Sequence, residues 1–125
     1  MSITESEVYG RIGDEGFRKV VAAFYRRIPD DDILGPMYPA SDLAGAESRL
    51  RGFLIFRLGG PDTYLAERGH PRLRMRHAPF AVDQKARDRW MELMTQAIDE
   101  SQIDEDAANA MKTFFDGVAT FLMNR

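Results

Sequence analysis

Four stretches of this 125-residue chain repeat their apolar residues every three or four positions, and no segment sustains an alternation of period two. That spacing puts the apolar side chains of each stretch on one face of a helix and leaves no pattern for a half-buried strand. Thr4 followed by Glu7 has the form of a capping box and predicts a short helix to about Arg11, broken by Gly13. From Asp14, the positions Phe17, Val20, Val21, Phe24 and Ile28 predict one amphipathic helix ending at Pro29. The segment from Asp30 to Pro39 is rich in turn residues yet carries Ile33, Leu34, Met37 and Tyr38, so part of it must pack inward.

A second long helix starts at Ser41 or Asp42 and runs to Leu58, with Leu43, Ala46, Leu50, Phe53 and Leu54 on one side and Gly59-Gly60-Pro61 as its stop. Arg72 to Ala78 can form about two turns before Pro79. A segment that short does not stand alone, so something must hold it. Asp83 then caps a helix through Ala86, Trp90, Leu93, Met94, Ala97 and Ile98, and Asp104 begins a last one through Ala108, Met111, Phe115, Val118 and Leu122. The expected fold class is all-α, with four long helices and two or three short ones in a single domain spanning residues 1–125.

Composition narrows the chemistry. The chain has no cysteine, which removes disulfides, thiolate metal sites and a cysteine nucleophile. Seventeen basic against twenty acidic residues give a net charge of −3, which argues against a nucleic-acid or anionic-membrane footprint. No apolar run approaches the roughly twenty residues of a membrane span, and the opening MSITESEVYG lacks a cationic start and an apolar signal stretch. A cytoplasmic location is expected. No serine stands in a nucleophile elbow and no glycine loop precedes a phosphate-binding lysine, so hydrolase and nucleotide chemistry have no local support. Asp30, Asp31 and Asp32, and the group Glu100, Asp104, Glu105 and Asp106, read as solvated faces and helix caps without the ligand pattern of a calcium loop.

Two histidines remain, His70 in the Gly69-His70-Pro71 loop and His77 near the end of the short helix. Taken alone, His77 reads as a structural residue or a mild partner of helix-end carbonyls sooner than as a ligand. A porphyrin, however, supplies four nitrogens and needs only one axial imidazole. Phe24, Tyr25, Tyr38, Phe53, Phe80 and Trp90, on separate elements, suit an apolar slot for such a flat group, and suit an ordinary core equally.

The run Gly69-His70-Pro71-Arg72-Leu73-Arg74-Met75-Arg76-His77-Ala78-Pro79-Phe80 resembles the proximal signature of group II truncated haemoglobins, the small two-over-two globins. Phe24-Tyr25, Met37-Tyr38-Pro39, Leu43-Ala44-Gly45-Ala46-Glu47, Gly59-Gly60-Pro61 and Arg87-Asp88-Arg89-Trp90 fall in step with it, and the likeness weakens only in the last twenty-odd residues. The resemblance implies a haem b group (iron protoporphyrin IX) with His77 as its metal ligand. It implies Tyr25 as the distal tyrosine, Trp90 as the indole that marks group II, and Tyr38 as a second distal phenol where the family has Phe, Tyr or His. Ala46 occupies the position where many globins place a distal histidine or glutamine, which shifts polar work to Tyr25, Tyr38 and Trp90. Two departures stand out. The glycine pair between the first helices is reduced to Gly13-Asp14, a less permissive corner, and Leu58 replaces a frequent aromatic, which would loosen packing near the pocket floor.

Granting haem, Arg49, Arg76 and Tyr64 are candidates to meet its propionates, Leu50 and Phe53 to pack on its distal face, and Leu73 and Phe80 on its proximal side. The implied partners are diatomic gases: oxygen, carbon monoxide and nitric oxide. The primary function expected is oxygen binding with tight retention, by a monomer or homodimer. The alternative is a redox enzyme on the same haem, a nitric oxide dioxygenase or weak peroxidase, which needs an external reductase because the chain has no flavin or nicotinamide domain. A cofactor-free helical interaction module is the third reading.

Overall fold

The periodic stretches become four α-helices in the structure, a computed structural model that describes residues 2–38, 40–61 and 82–124. They are α1 (Val8–Arg26), α2 (Leu43–Arg57), α3 (Gln84–Ser101) and α4 (Glu105–Phe121), with 3-10 turns at Glu5–Glu7, Gly35–Met37 and Ala40–Asp42. No strand occurs among the described residues. The short helix expected over 72–78 lies outside them.

The expected break at Gly13 is a single residue wide. Gly13 takes φ 63° and ψ −176° inside α1, so two helical pieces meet at a kink, and the Tyr9 hydroxyl donates to Asp14 Oδ1 at 3.0 Å across it. Gly13 alone carries the positive φ, so the aspartate that follows it needs no special freedom. The helix ends at Arg26, two residues before Ile28, because Pro29 disfavours helical backbone in the residue before it. Ile28 is still fully buried, with its N–H on the Tyr25 carbonyl at 3.3 Å.

Phe17, Val20, Val21 and Phe24 form the buried stripe of α1, which packs against α2 and α3 and, less extensively, α4. Each such side chain contributes about 1.5–3 kcal/mol by leaving water. On α2 the buried positions are Ala46, Phe53 and Leu54, with Leu43 and Leu50 half-buried against the same core. Leu58 corrects one expectation: it is wholly buried, and its carbonyl accepts the Tyr9 N–H at 3.0 Å. The corner is closed rather than loosened, because Gly59 at φ 99° lets the chain pass against the Ser6 carbonyl, where a Cβ would lie 2.1 Å from the oxygen.

Both predicted caps of the later helices are present. Asp83 accepts the Ala86 N–H at 2.8 Å, and Asp104 accepts the Ala107 N–H at 3.0 Å while Arg11 pairs with it from α1. Beyond α4, Asn124 returns to the start of α3 through two bonds, from the Val82 N–H to Asn124 Oδ1 at 2.8 Å and from the Asn124 N–H to the Val82 carbonyl at 2.9 Å.

Candidate functional site

Phe24 and Tyr25 are consecutive on α1, so their rings leave the helix about 100° apart. Phe24, fully buried, becomes a hub: its ring centroid lies 5.3 Å from Tyr25, 5.3 Å from Trp90 on α3 and 6.4 Å from Tyr38 in the α1–α2 connection. Tyr25 and Tyr38 meet edge to face at 5.6 Å, and Trp90 rests on Phe115 of α4 at 5.3 Å. The three polar aromatics named from the sequence, Tyr25, Tyr38 and Trp90, therefore converge from three separate elements.

Their hydrogen bonding divides the work. Trp90 Nε1 donates to the Tyr38 hydroxyl at 3.2 Å, which leaves the Tyr38 proton free to be given elsewhere. Tyr25 is 7% exposed and no hydrogen bond joins its hydroxyl to a described residue; since no fully buried side-chain oxygen or nitrogen among the described residues lacks a partner, that hydroxyl is not sealed in the core. A phenol whose ring is packed and whose hydroxyl stays open can donate a hydrogen bond to a molecule placed beside it. Burial pushes the Tyr25 phenol well above the ordinary tyrosine range, and Tyr38 adds to the rise while Arg49 opposes it. Burial likewise pushes Tyr38 up to about 12, against the pull of the Trp90 hydrogen bond. Both phenols hold their protons at neutral pH.

The α2 side of the site is apolar. Ala46 and Phe53 are buried and Leu50 half-buried in the core cluster that contains Tyr25. Arg49 Nη1 lies 3.3 Å from Asp42 Oδ2, and its side chain remains 39% exposed. The other expected residues, Tyr64, Leu73, Arg76, His77 and Phe80, together with His70, lie outside the described residues. Among the described residues no group of three or more His, Asp and Glu could hold a metal ion, and no helix is long and apolar enough to cross a membrane.

The aspartate run at 30–32 needs a correction. Asp31 was expected on a solvated face, yet its side chain is only 6% exposed and pairs with Arg89, the residue before Trp90. Neither was singled out as a site residue. Nothing in a like-charge run tells which member turns inward; the signal is the apolar Ile33-Leu34 pair beside it, whose burial drags the neighbouring backbone and its satisfying carboxylate into the interior.

Residues 7–124 match the family described as bacterial-like globin. The chain belongs to that family, among the group II truncated haemoglobins. One such relative, the group 2 truncated hemoglobin YjbI of Bacillus subtilis, is 40% identical over 73% of this chain and 68% of its own length. The crystal structure of a hemoglobin from Chloroflexus aurantiacus superposes with a TM-score of 0.90 at 43% identity, over 94% of this chain and 98% of that one. The structure of a truncated oxygen-avid haemoglobin from Bacillus subtilis gives 0.88 at 32% identity, over 94% and 98%. The fold is thus the two-over-two helical arrangement of the truncated globins, in which α1 and α2 pack together, as do α3 and α4.

Proposed function

We propose that this globin binds haem and holds a diatomic ligand, oxygen foremost, against distal hydrogen-bond donors. The observation that carries the reading is the convergence of Tyr25, whose ring meets Tyr38 edge to face at 5.6 Å, with the hydrogen-bonded Trp90–Tyr38 pair. These residues fit the group: a pocket wall with hydrogen-bond donors suits a neutral diatomic ligand that gains negative charge on binding. Haem b, when bound, would supply an iron able to take such a ligand.

The chain's own residues have four tasks. His77 is proposed to hold the group by its iron. Phe53 and Leu50 on one side, and Leu73 and Phe80 on the other, offer apolar surface to its faces and exclude water. Arg49, Arg76 and Tyr64 are proposed to meet its propionates, with Arg49 leaving Asp42 or sharing it. Tyr25 would donate a hydrogen bond to the bound gas, and Tyr38, polarised by the bond it accepts from Trp90, would be the second donor. The indole itself donates directly only when it leaves Tyr38, since it carries one proton.

The same features favour ligand binding over peroxidase turnover. A distal acid–base group works best with a pKa near the operating pH. Ala46 has nothing to titrate, and Tyr25 and Tyr38 are both shifted upward, away from neutrality. Nitric oxide dioxygenation remains compatible with this pocket and requires an external reductase. A relative's printed description as oxygen-avid accords with tight retention here.

The test is the oxygen dissociation rate of Tyr25→Phe. Loss of one charge-assisted hydrogen bond, about 1.5–3 kcal/mol, raises that rate roughly ten- to a hundredfold. An unchanged rate removes Tyr25 from the donor role.

A further inference from the structure

The connection between α1 and α2 is held at both ends by consecutive residues of α3. At its start, Arg89 Nη1 lies 2.5 Å from Asp31 Oδ1 and 3.0 Å from Asp32 Oδ1, and Arg89 Nε lies 3.5 Å from Glu92 Oε2 on its own helix. At its end, Trp90 Nε1 donates to the Tyr38 hydroxyl. Neighbours on a helix point about 100° apart, so the two residues reach different parts of the connection without competing.

The two ends are joined by an unbroken path of hydrogen bonds. The second Asp31 carboxylate oxygen accepts the N–H groups of Ile33 at 3.0 Å and Leu34 at 2.7 Å. The Leu34 carbonyl accepts the Met37 N–H at 2.9 Å, while the Asp31 carbonyl accepts the Gly35 N–H at 3.0 Å and the Gly35 carbonyl accepts the Tyr38 N–H at 3.3 Å. Leu34 is buried at the centre of this path, and a side chain at Gly35 would begin 3.1 Å from the Ile28 carbonyl. The arm from Asp31 to Tyr38 has little room to flex. Asp32, by contrast, is 81% exposed and bonds to nothing in the arm, so its pairing with Arg89 is worth little.

We infer that Arg89, acting through Asp31, is a positioning residue that keeps the Tyr38 hydroxyl in place as acceptor of the Trp90 proton, and so sets which donor a pocket ligand meets. The functional half of this inference rests on the haem reading; the geometric half does not. Loosening the Arg89–Asp31 bond lets the arm drift, frees the indole proton, and exchanges phenol for indole as the available donor.

The test follows the indole N–H of Trp90, the chain's only tryptophan, by nuclear magnetic resonance in the carbon monoxide-saturated protein. Arg89→Gln and Asp31→Asn should each shift this resonance and speed its exchange with water; Arg89→Lys should largely restore it, and Asp32→Asn should leave it alone. In a Tyr38→Phe background, Arg89→Gln should do nothing further to the indole. The oxygen dissociation rate should follow the same pattern, changing roughly two- to tenfold with Arg89→Gln and less than twofold when Tyr38 is already Phe. An unmoved indole resonance in Arg89→Gln, or an equal shift with Tyr38 absent, overturns the inference. If the protein takes up no haem, the haem reading fails by itself, and the same spectra on the protein as purified still decide the positioning role. Should Arg89→Gln not fold, Asp31→Asn and Arg89→Lys carry the comparison.

Discussion

The single N–H of the Trp90 indole donates its hydrogen bond to the hydroxyl of Tyr38, 3.2 Å away, so the two side chains function as a unit. Removing either changes what the other can do. Tyr38→Phe and Trp90→Phe should therefore be non-additive in the oxygen dissociation rate, with a coupling of about 0.5–3 kcal/mol between them. Stopped-flow measurement of the two single variants and the double variant checks this. Strict additivity would mean that each residue meets the ligand independently.

The raised phenols give a second expectation, at alkaline pH. An unfolded tyrosine ionises near about 10, whereas Tyr38 in the folded chain is pushed up to about 12. The neutral form is favoured by folding, so the stabilisation is complete below the unfolded value and is lost as pH rises through the folded one. Near-ultraviolet phenolate absorbance should show Tyr25 and Tyr38 silent until stability itself falls. Their titration at ordinary values in the folded protein would contradict the burial described here.

Asp31 gives the mirror image at acid pH. Its burial opposes ionisation, but the Leu34 N–H, Arg89 and the Ile33 N–H outweigh that and hold the carboxyl below the usual aspartate range. Its contribution is present above about pH 4 and disappears as pH falls through the lowered folded value. Asp31→Asn should cost about 1–3 kcal/mol at neutral pH and flatten the acid limb of the stability profile. Urea midpoints measured from neutral pH downward supply the comparison.

Two glycines with positive φ should respond differently to alanine. At Gly13, φ 63° and ψ −176°, a Cβ meets nothing within 4 Å, so Gly13→Ala carries only the backbone penalty of a region kept to glycine, about 1–3 kcal/mol. At Gly59, φ 99°, a Cβ would lie 2.1 Å from the Ser6 carbonyl oxygen, and the chain must move. Gly59→Ala should lose about 3 kcal/mol or more by urea unfolding. Equal losses would mean that the close approach at Ser6 does not matter.

The helices could be read from the sequence because their signals are local. Asp83 and Asp104 announce their helices by cap chemistry alone, and the stripe from Phe17 to Phe24 needs only the 3.6-residue period. The meeting of Tyr25, Tyr38 and Trp90 was accessible through family likeness, not through spacing, since 65 residues separate the first from the last. The Arg89–Asp31 bond escaped both routes. Its partners are 58 residues apart, and an aspartate between two others looks solvated until the burial of Leu34 turns it inward. Leu58 was misjudged for a related reason: a smaller side chain loosens a corner only if the backbone stays put, and Gly59 lets it close.

The central claim is that a haem sits in this pocket on His77. Titration of the purified chain with haemin, followed by absorption in the Soret region, measures it directly in the unaltered protein and in His77→Gly. The account predicts saturable uptake of one haem per chain, a ferrous spectrum that changes with carbon monoxide, and loss of that ferrous signature in His77→Gly. Uptake that never saturates, or a variant that binds as firmly with the same ferrous spectrum, would contradict it.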